Sequence, residues 1–178
     1  VNRGEIRASE DGYAVLMGSK ARNEGRMLAR FGTVALGSGD QVRLDIEGSR
    51  LLSFSVEESV LNAFVENKGT LRADGGLVVL DAQAKDSLLD TVVNQDGVTR
   101  AQTLKKQEGK LVLSGGQEGV VSARGTLDAS GTEDGESGGT IRISGQKIAL
   151  RDGADLEASG KADGGEDLVS GWQVLLDE

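Results

Sequence analysis

The sequence predicts an all-β chain wound as a right-handed parallel β-helix, a β-solenoid of roughly seven rungs with three short strands in each. Three observations carry that expectation. One motif recurs from end to end at intervals of roughly 20 to 30 residues. Within each period, short segments alternate apolar and polar side chains, which points one inward and the next outward. Glycine or asparagine stands between the segments, as corners require.

The first strand of each period is the motif Asn-x-Gly-x-apolar-x-Ala. It reads Asn2-x-Gly4-x-Ile6-x-Ala8, Asn23-x-Gly25-x-Met27-x-Ala29 and Asn67-x-Gly69-x-Leu71-x-Ala73, with a looser copy from Asn94 through Gly97 to Ala101. Later copies lose the Asn and gain Ser-Gly, as in Gly125-Thr126-Leu127-Asp128-Ala129-Ser130-Gly131 and Ala154-Asp155-Leu156-Glu157-Ala158-Ser159-Gly160. Anchors at 4, 25, 69, 97, 125 and 154 are spaced 21, 44, 28, 28 and 29, and the 44 reads as two turns. The second strand ends in Ala14/Leu16, Val34/Leu36, Val78/Leu80, Leu111/Leu113 and Ile141/Ile143. The third is weaker and carries Ala21, Val65, Val92 or Val93, Val121 and Leu150.

Rungs spaced ~4.8 Å apart stack equivalent residues in columns and make a rod about 30 to 35 Å long. Gly and Asn at the corners are expected to take left-handed backbone angles. Phe31, Phe54 and Phe64 are assigned to core or end-cap packing, and Tyr13 and Trp172 to the surface. Two stretches near 45–66 and 82–96 break the rhythm and read as insertions, short helices or longer loops. Val1 opens in the middle of the pattern, so one domain over 1–178, cut from a longer protein, is expected, with open ends that invite end-to-end association.

Composition narrows the chemistry. The 178 residues include 27 Gly and no Pro, Cys or His, which excludes disulfides, zinc sites and histidine-based triads. A formal charge of −9 argues against nucleic acid or anionic membranes as partners, and no apolar run is long enough to enter a bilayer. Ser144-Gly145-Gln146-Lys147 spells Ser-x-x-Lys without the helix or the Lys-Thr-Gly that such enzymes need. The Asn series Asn2, Asn23, Asn67 and Asn94 reads as a corner ladder rather than a binding stripe.

Two acidic loops occupy corresponding places one rung apart, 132–138 and 162–167. If they stack, Glu133, Asp134, Glu136, Asp163 and Asp167 are the candidate ligands of a Ca²⁺ ion, which wants several hard oxygen donors. Solvated loops supplying negative charge are the plainer reading, so no metal or cofactor is assigned and Ca²⁺ stays an alternative. Asp167 falls at an inward position, which implies a shifted register or a rung near an open end.

The run from Asn23 to Leu44, the segment Asp74-Gly75-Gly76-Leu77-Val78-Val79-Leu80-Asp81-Ala82, and the repeats at Gly125–Gly131 and Gly138–Ile141 together resemble the filamentous-haemagglutinin-type exoproteins of two-partner secretion. The resemblance covers essentially the whole chain and lies in the order of the motifs. It implies a secreted, non-enzymatic stretch near the end of a secretion domain and the start of a stalk. It further implies an outer-membrane secretion pore as partner and residence at the bacterial outer-membrane surface, in an adhesin, biofilm-matrix protein or contact-dependent toxin stalk. A host receptor or polysaccharide is the partner such a life implies. The alternatives are a carbohydrate-active β-helix enzyme and a carbohydrate- or Ca²⁺-binding module.

Overall fold

The computed structural model describes residues 1–48, 50–85, 91–105 and 107–176. Among them there is no helix, and the chain climbs as a solenoid of parallel strands. The first turn holds β1 (Glu5–Arg7), β2 (Tyr13–Met17) and β3 (Lys20–Asn23). The second holds β4 (Arg26–Leu28) and β5 (Thr33–Ser38), leaves the coil through β6 (Gln41–Glu47), β7 (Arg50–Glu58) and β8 (Val60–Leu61), and returns at β9 (Phe64–Asn67). The third runs through β10 (Thr70–Arg72), β11 (Leu77–Ala82), β12 (Ala84–Lys85) and β13 (Thr91–Gln95). The fourth is β14 (Val98–Arg100), β15 (Lys110–Ser114) and β16 (Val120–Ala123). In the fifth and sixth, β17 (Thr126–Asp128) and β19 (Asp155–Glu157) are followed by the 11-residue strands β18 (Thr140–Leu150) and β20 (Glu166–Leu176), which cover two faces each.

The first face stacks β1-β4-β10-β14-β17-β19. Its central residues Ile6, Met27, Leu71, Thr99, Leu127 and Leu156 are in register, the column expected from the motif with Thr99 added. On the second face Ala14, Val34, Val78, Leu111 and Ile141 form one inward column and Leu16, Leu36, Leu80, Leu113 and Ile143 the next. The third column runs Ala21, Val65, Val93, Val121 and Ile148. Leu150, the expected member, stands two residues further along, opposite Ala123. Most of these side chains are wholly buried. Each buried Leu, Ile or Val stabilises the coil by about 1.5–3 kcal/mol relative to exposure.

The 44-residue interval is one turn, not two. Met27 pairs directly with Leu71, so each face has six strands and the solenoid six rungs instead of seven. The surplus residues of that interval form the antiparallel hairpin β6–β7, with β8 pairing β12 beside it. Expected helices or loops in 45–66 are therefore strands. The same expectation over 82–96 meets β12 and β13, and residues 86–90 lie outside the described residues.

The Asn column is a buried amide ladder, and its fourth member is Gln95 rather than Asn94. Asn2 donates to Asn23 at 2.8 Å, Asn23 to Asn67 at 2.8 Å, and Asn67 to Gln95 at 3.0 Å. Thr99 explains its own place among aliphatics: its hydroxyl donates to Gln95 Oε1 at 2.8 Å and accepts from Asn67 at 3.2 Å. Buried amides must be paired, and here each rung pairs the last. Asn94 instead points outward and donates to Glu66 at 3.2 Å.

The corner glycines are needed for closeness, not for left-handed angles. A Cβ on Gly25, Gly69, Gly97 or Gly125 would stand 2.0–2.2 Å from the carbonyl oxygen of the glycine one rung earlier. None of the four has a positive φ. Left-handed backbone occurs at another corner, on Asp11, Phe31 and Gly75 in successive rungs, with φ of 60°, 57° and 69°.

None of the three phenylalanines enters the aliphatic interior. Phe31 sits at that left-handed corner, Phe64 points outward with Arg22 at 6.0 Å from its ring, and Phe54 lies on the hairpin. The hairpin strand β7 packs on the outside of β5 and β11, where outward-facing Ala35 and Val79 are buried. The Phe54 ring seats over Gly37, which has no room for a Cβ, and Arg50 reaches Asp11 at 3.3 Å.

Candidate binding surface

On the first face, the residues flanking each buried centre point outward by strand alternation. The first four rungs present Arg7, Arg26, Arg72 and Arg100, with Arg30 on the adjoining corner. The last two present Asp128, Asp155 and Glu157. One face thus carries two signs, arginines in excess over Glu5 at one end and carboxylates at the other. Its arginine end stands out in a chain with net charge −9.

The centre of the arginine end is Asp74, 6% exposed. Arg72 Nε reaches its Oδ2 at 2.5 Å, and Arg100 bonds both carboxylate oxygens at 3.2 and 3.1 Å. Burial alone would push the Asp74 pKa up; the hydrogen bonds and charges of Arg100 and Arg72 together outweigh it and hold the group below its ordinary value. The outer arginines are less committed. Arg7 and Arg26 share Glu5 at 2.9 and 3.3 Å, and Arg30 stands 3.8 Å from Glu10. Arg30 also lies 5.0 Å from the centre of the Phe31 ring, which Lys105 approaches at 5.7 Å.

Between these side chains runs a groove of about 370 Å³, lined by Arg7, Arg26, Leu28, Arg30, Arg72 and Asp74. Beyond Asp74 it continues into a recess of about 210 Å³ that adds Gln102, Thr103, Glu133 and Glu136. Thr103 is 2% exposed, and its hydroxyl lacks a hydrogen-bond partner. A buried hydroxyl left unpaired is costly; among the described residues Glu66 Oε2 and Asp81 Oδ1 are the other buried side-chain oxygens without a hydrogen-bond partner.

The two acidic loops do stack, as Ala162 N–H donates to Glu136 O at 3.0 Å and Gly138 N–H to Asp163 O at 2.9 Å. Their carboxylates do not converge. Glu136 is buried and accepts the backbone N–H groups of Lys105 and Glu133 at 3.0 and 3.1 Å. Asp134 is exposed beside Lys161 at 3.1 Å, and Glu133 and Asp163 face solvent. Asp167 lies on the second face in register with Ile141, so no register shift accounts for its inward position; burial raises its pKa. Among the described residues no group of three or more Asp or Glu side chains gathers at a metal-sized point. Ser144 and Lys147 lie along the single strand β18. Tyr13 is partly exposed, and Trp172 is 95% exposed.

The arginine groove was missed, although it had a signal: Arg7, Arg30, Arg72 and Arg100 each adjoin the alanine of the first-strand motif. Asp81 had none. Facing outward from β11, it is buried because β7 covers it, and its Oδ2 accepts Val56 N–H at 3.1 Å. Burial pushes its pKa up, against the smaller pull of Val56 and Ser114.

No protein-family model and no curated protein matches this sequence. A solved structure does: the HMW1 secretion domain from Haemophilus influenzae, at TM-score 0.54 and 17% sequence identity. The match covers 97% of this chain and 64% of that one, so the chain spans just under two thirds of the length of that secretion domain. At this identity the likeness is one of fold. No helix among the described residues is long and apolar enough to cross a membrane.

Proposed function

We propose that this chain is a segment of the export-competent β-helix of a secreted exoprotein of the two-partner type, and that its work is mechanical rather than catalytic. The observation that carries the reading is the fold match to the HMW1 secretion domain over 97% of the chain. Right-handed winding belongs to the proposal, since parallel strands joined by crossovers take that hand almost without exception. An array in which every rung satisfies its neighbour's backbone folds by nearest-neighbour contacts, and needs no disulfide or metal outside the cell. The partner is an outer-membrane pore, and the destination is the outer-membrane surface, where a stiff rod holds an adhesive, matrix-forming or toxic activity away from the cell.

The experiment follows the full-length protein in Gram-negative cells with and without its pore. Pore-dependent arrival at the surface or in the medium supports the reading; pore-independent export, or retention in the periplasm with the pore present, overturns it. The non-catalytic half is tested separately, by screening the chain for cleavage of acidic and neutral polysaccharides. Any turnover that survives repurification rejects it.

A further inference from the structure

The geometry points to the arginine groove and its recess as a binding site for an acidic polysaccharide, a linear sugar chain bearing sulfate or carboxylate groups. The inference stands on the first face alone and does not rest on the export reading.

The lining is mixed in the way such a ligand requires. Arg26 and Arg30 offer planar donors suited to carboxylate or sulfate, and their exposed ion pairs with Glu5 and Glu10 hold weakly enough for a ligand anion to displace them. Phe31 stacks against Arg30 and fixes its direction while leaving its N–H edge available. Asp74 keeps Arg72 and Arg100 in place, so the deep end is preorganised. The recess then changes character: Gln102, Glu133 and the unpartnered Thr103 hydroxyl supply donors and acceptors for sugar hydroxyls. Arg7, Arg72 and Arg100 share one column, which Leu28 interrupts at the second rung where Arg26 flanks the strand on its other side; arginines thus follow one another along the axis, which suits a ligand carrying anions on successive sugars.

Nucleic acid fits less well. Base stacking needs free aromatic faces, and Phe31, the aromatic at hand for a base, is already stacked by Arg30.

The test is calorimetric titration of the 178-residue chain with dextran sulfate, polygalacturonate and neutral dextran at low and physiological salt. Binding of one or both polyanions, weakened by salt and absent for neutral dextran, is expected; the two arms tell sulfate from carboxylate recognition. Arg26→Gln with Arg30→Gln should weaken binding by about tenfold or more. Thr103→Val should weaken it several-fold while the melting temperature stays level or rises, because the orphan hydroxyl is gone. Arg124→Gln with Arg151→Gln removes the same charge at another corner and should leave affinity within about twofold. No binding to either polyanion at low salt overturns the proposal. So does equal loss in the control pair, which would mean diffuse attraction, and so does unaltered affinity in Thr103→Val.

Discussion

The coil and the hairpin are both built of strands, yet they are held by different means. In the coil every strand is hydrogen-bonded to a copy of itself one rung away, and its side chains fill columns with 0% exposure at Met27, Leu71 and Leu127. The hairpin β6–β7 pairs chiefly with itself, and it rests on the coil through Phe54 over Gly37, Val56 to Asp81 and Arg50 to Asp11. Periodic stacking therefore makes a structure that fails cooperatively, whereas a docked hairpin can open locally at lower cost.

The sharpest way to break the coil is Gly69→Ala. The added methyl would stand 2.0 Å from Gly25 O and 2.9 Å from Gly25 N, and no rotamer change moves backbone. A loss of about 3 kcal/mol or more is expected, read as the shift in urea midpoint. Leu71→Ala comes next. It leaves a cavity in a column with no exposed wall, and about 2–5 kcal/mol is the expected loss on the same measurement. Asn67→Ala takes away the side-chain acceptor of Asn23 and leaves Gln95 Oε1 with Thr99 as its donor, for a loss of about 1–2 kcal/mol. Phe54→Ala should behave otherwise: hydrogen exchange across 41–58 speeds up while the urea midpoint of the coil moves by less than about 1 kcal/mol equivalent. A global shift as large as that of Leu71→Ala would show that hairpin and coil are one cooperative unit.

The smallest effects have opposite signs. Asp74 has a lowered pKa, so its stabilisation is present above the ordinary aspartate value of 3.8 and is lost as pH falls through the folded value. Asp81 has a raised pKa, so its contribution is full below 3.8 and is lost as pH rises through the folded value. Mild acid should therefore raise the exchange protection factor at Val56 under the hairpin before stronger acid lowers protection near Asp74. Asp81→Asn should abolish the first response and tighten the hairpin at neutral pH. A hairpin that loosens on mild acidification would refute this assignment.

The same contrast explains what could be read without coordinates. Columns such as Met27–Leu71 and Leu36–Leu80 were legible because parallel stacking repeats the same side chain at the same step. The hairpin was not, because Val42-Arg43-Leu44-Asp45-Ile46 alternates like any coil strand, and alternation does not say whether the neighbour is the previous rung or the next strand. That ambiguity turned one turn into two. Gln95 was overlooked beside Asn94 for a similar reason: amide type, not residue name, is what the ladder selects. Ile148 gave way to Leu150 because β18 passes its corner at Gly145 and Gln146 as one continuous strand, so alternation alone does not mark where the third face begins. The arginine groove gathers side chains from separate rungs, and its orphaned Thr103 hydroxyl becomes visible only when every neighbour is placed.

The amide ladder has a direction. Asn2 donates to Asn23, Asn23 to Asn67 and Asn67 to Gln95, so each donor sits on the earlier rung and waits for an acceptor on the next. For a chain that folds from its amino end, every completed rung is a template carrying an oriented N–H. A newcomer displaced by one residue turns its amide outward and leaves that donor buried and empty, at a cost of about 1–3 kcal/mol. The ladder thus proofreads register as the rod lengthens, rejecting a misaligned turn before the following one can lock it in.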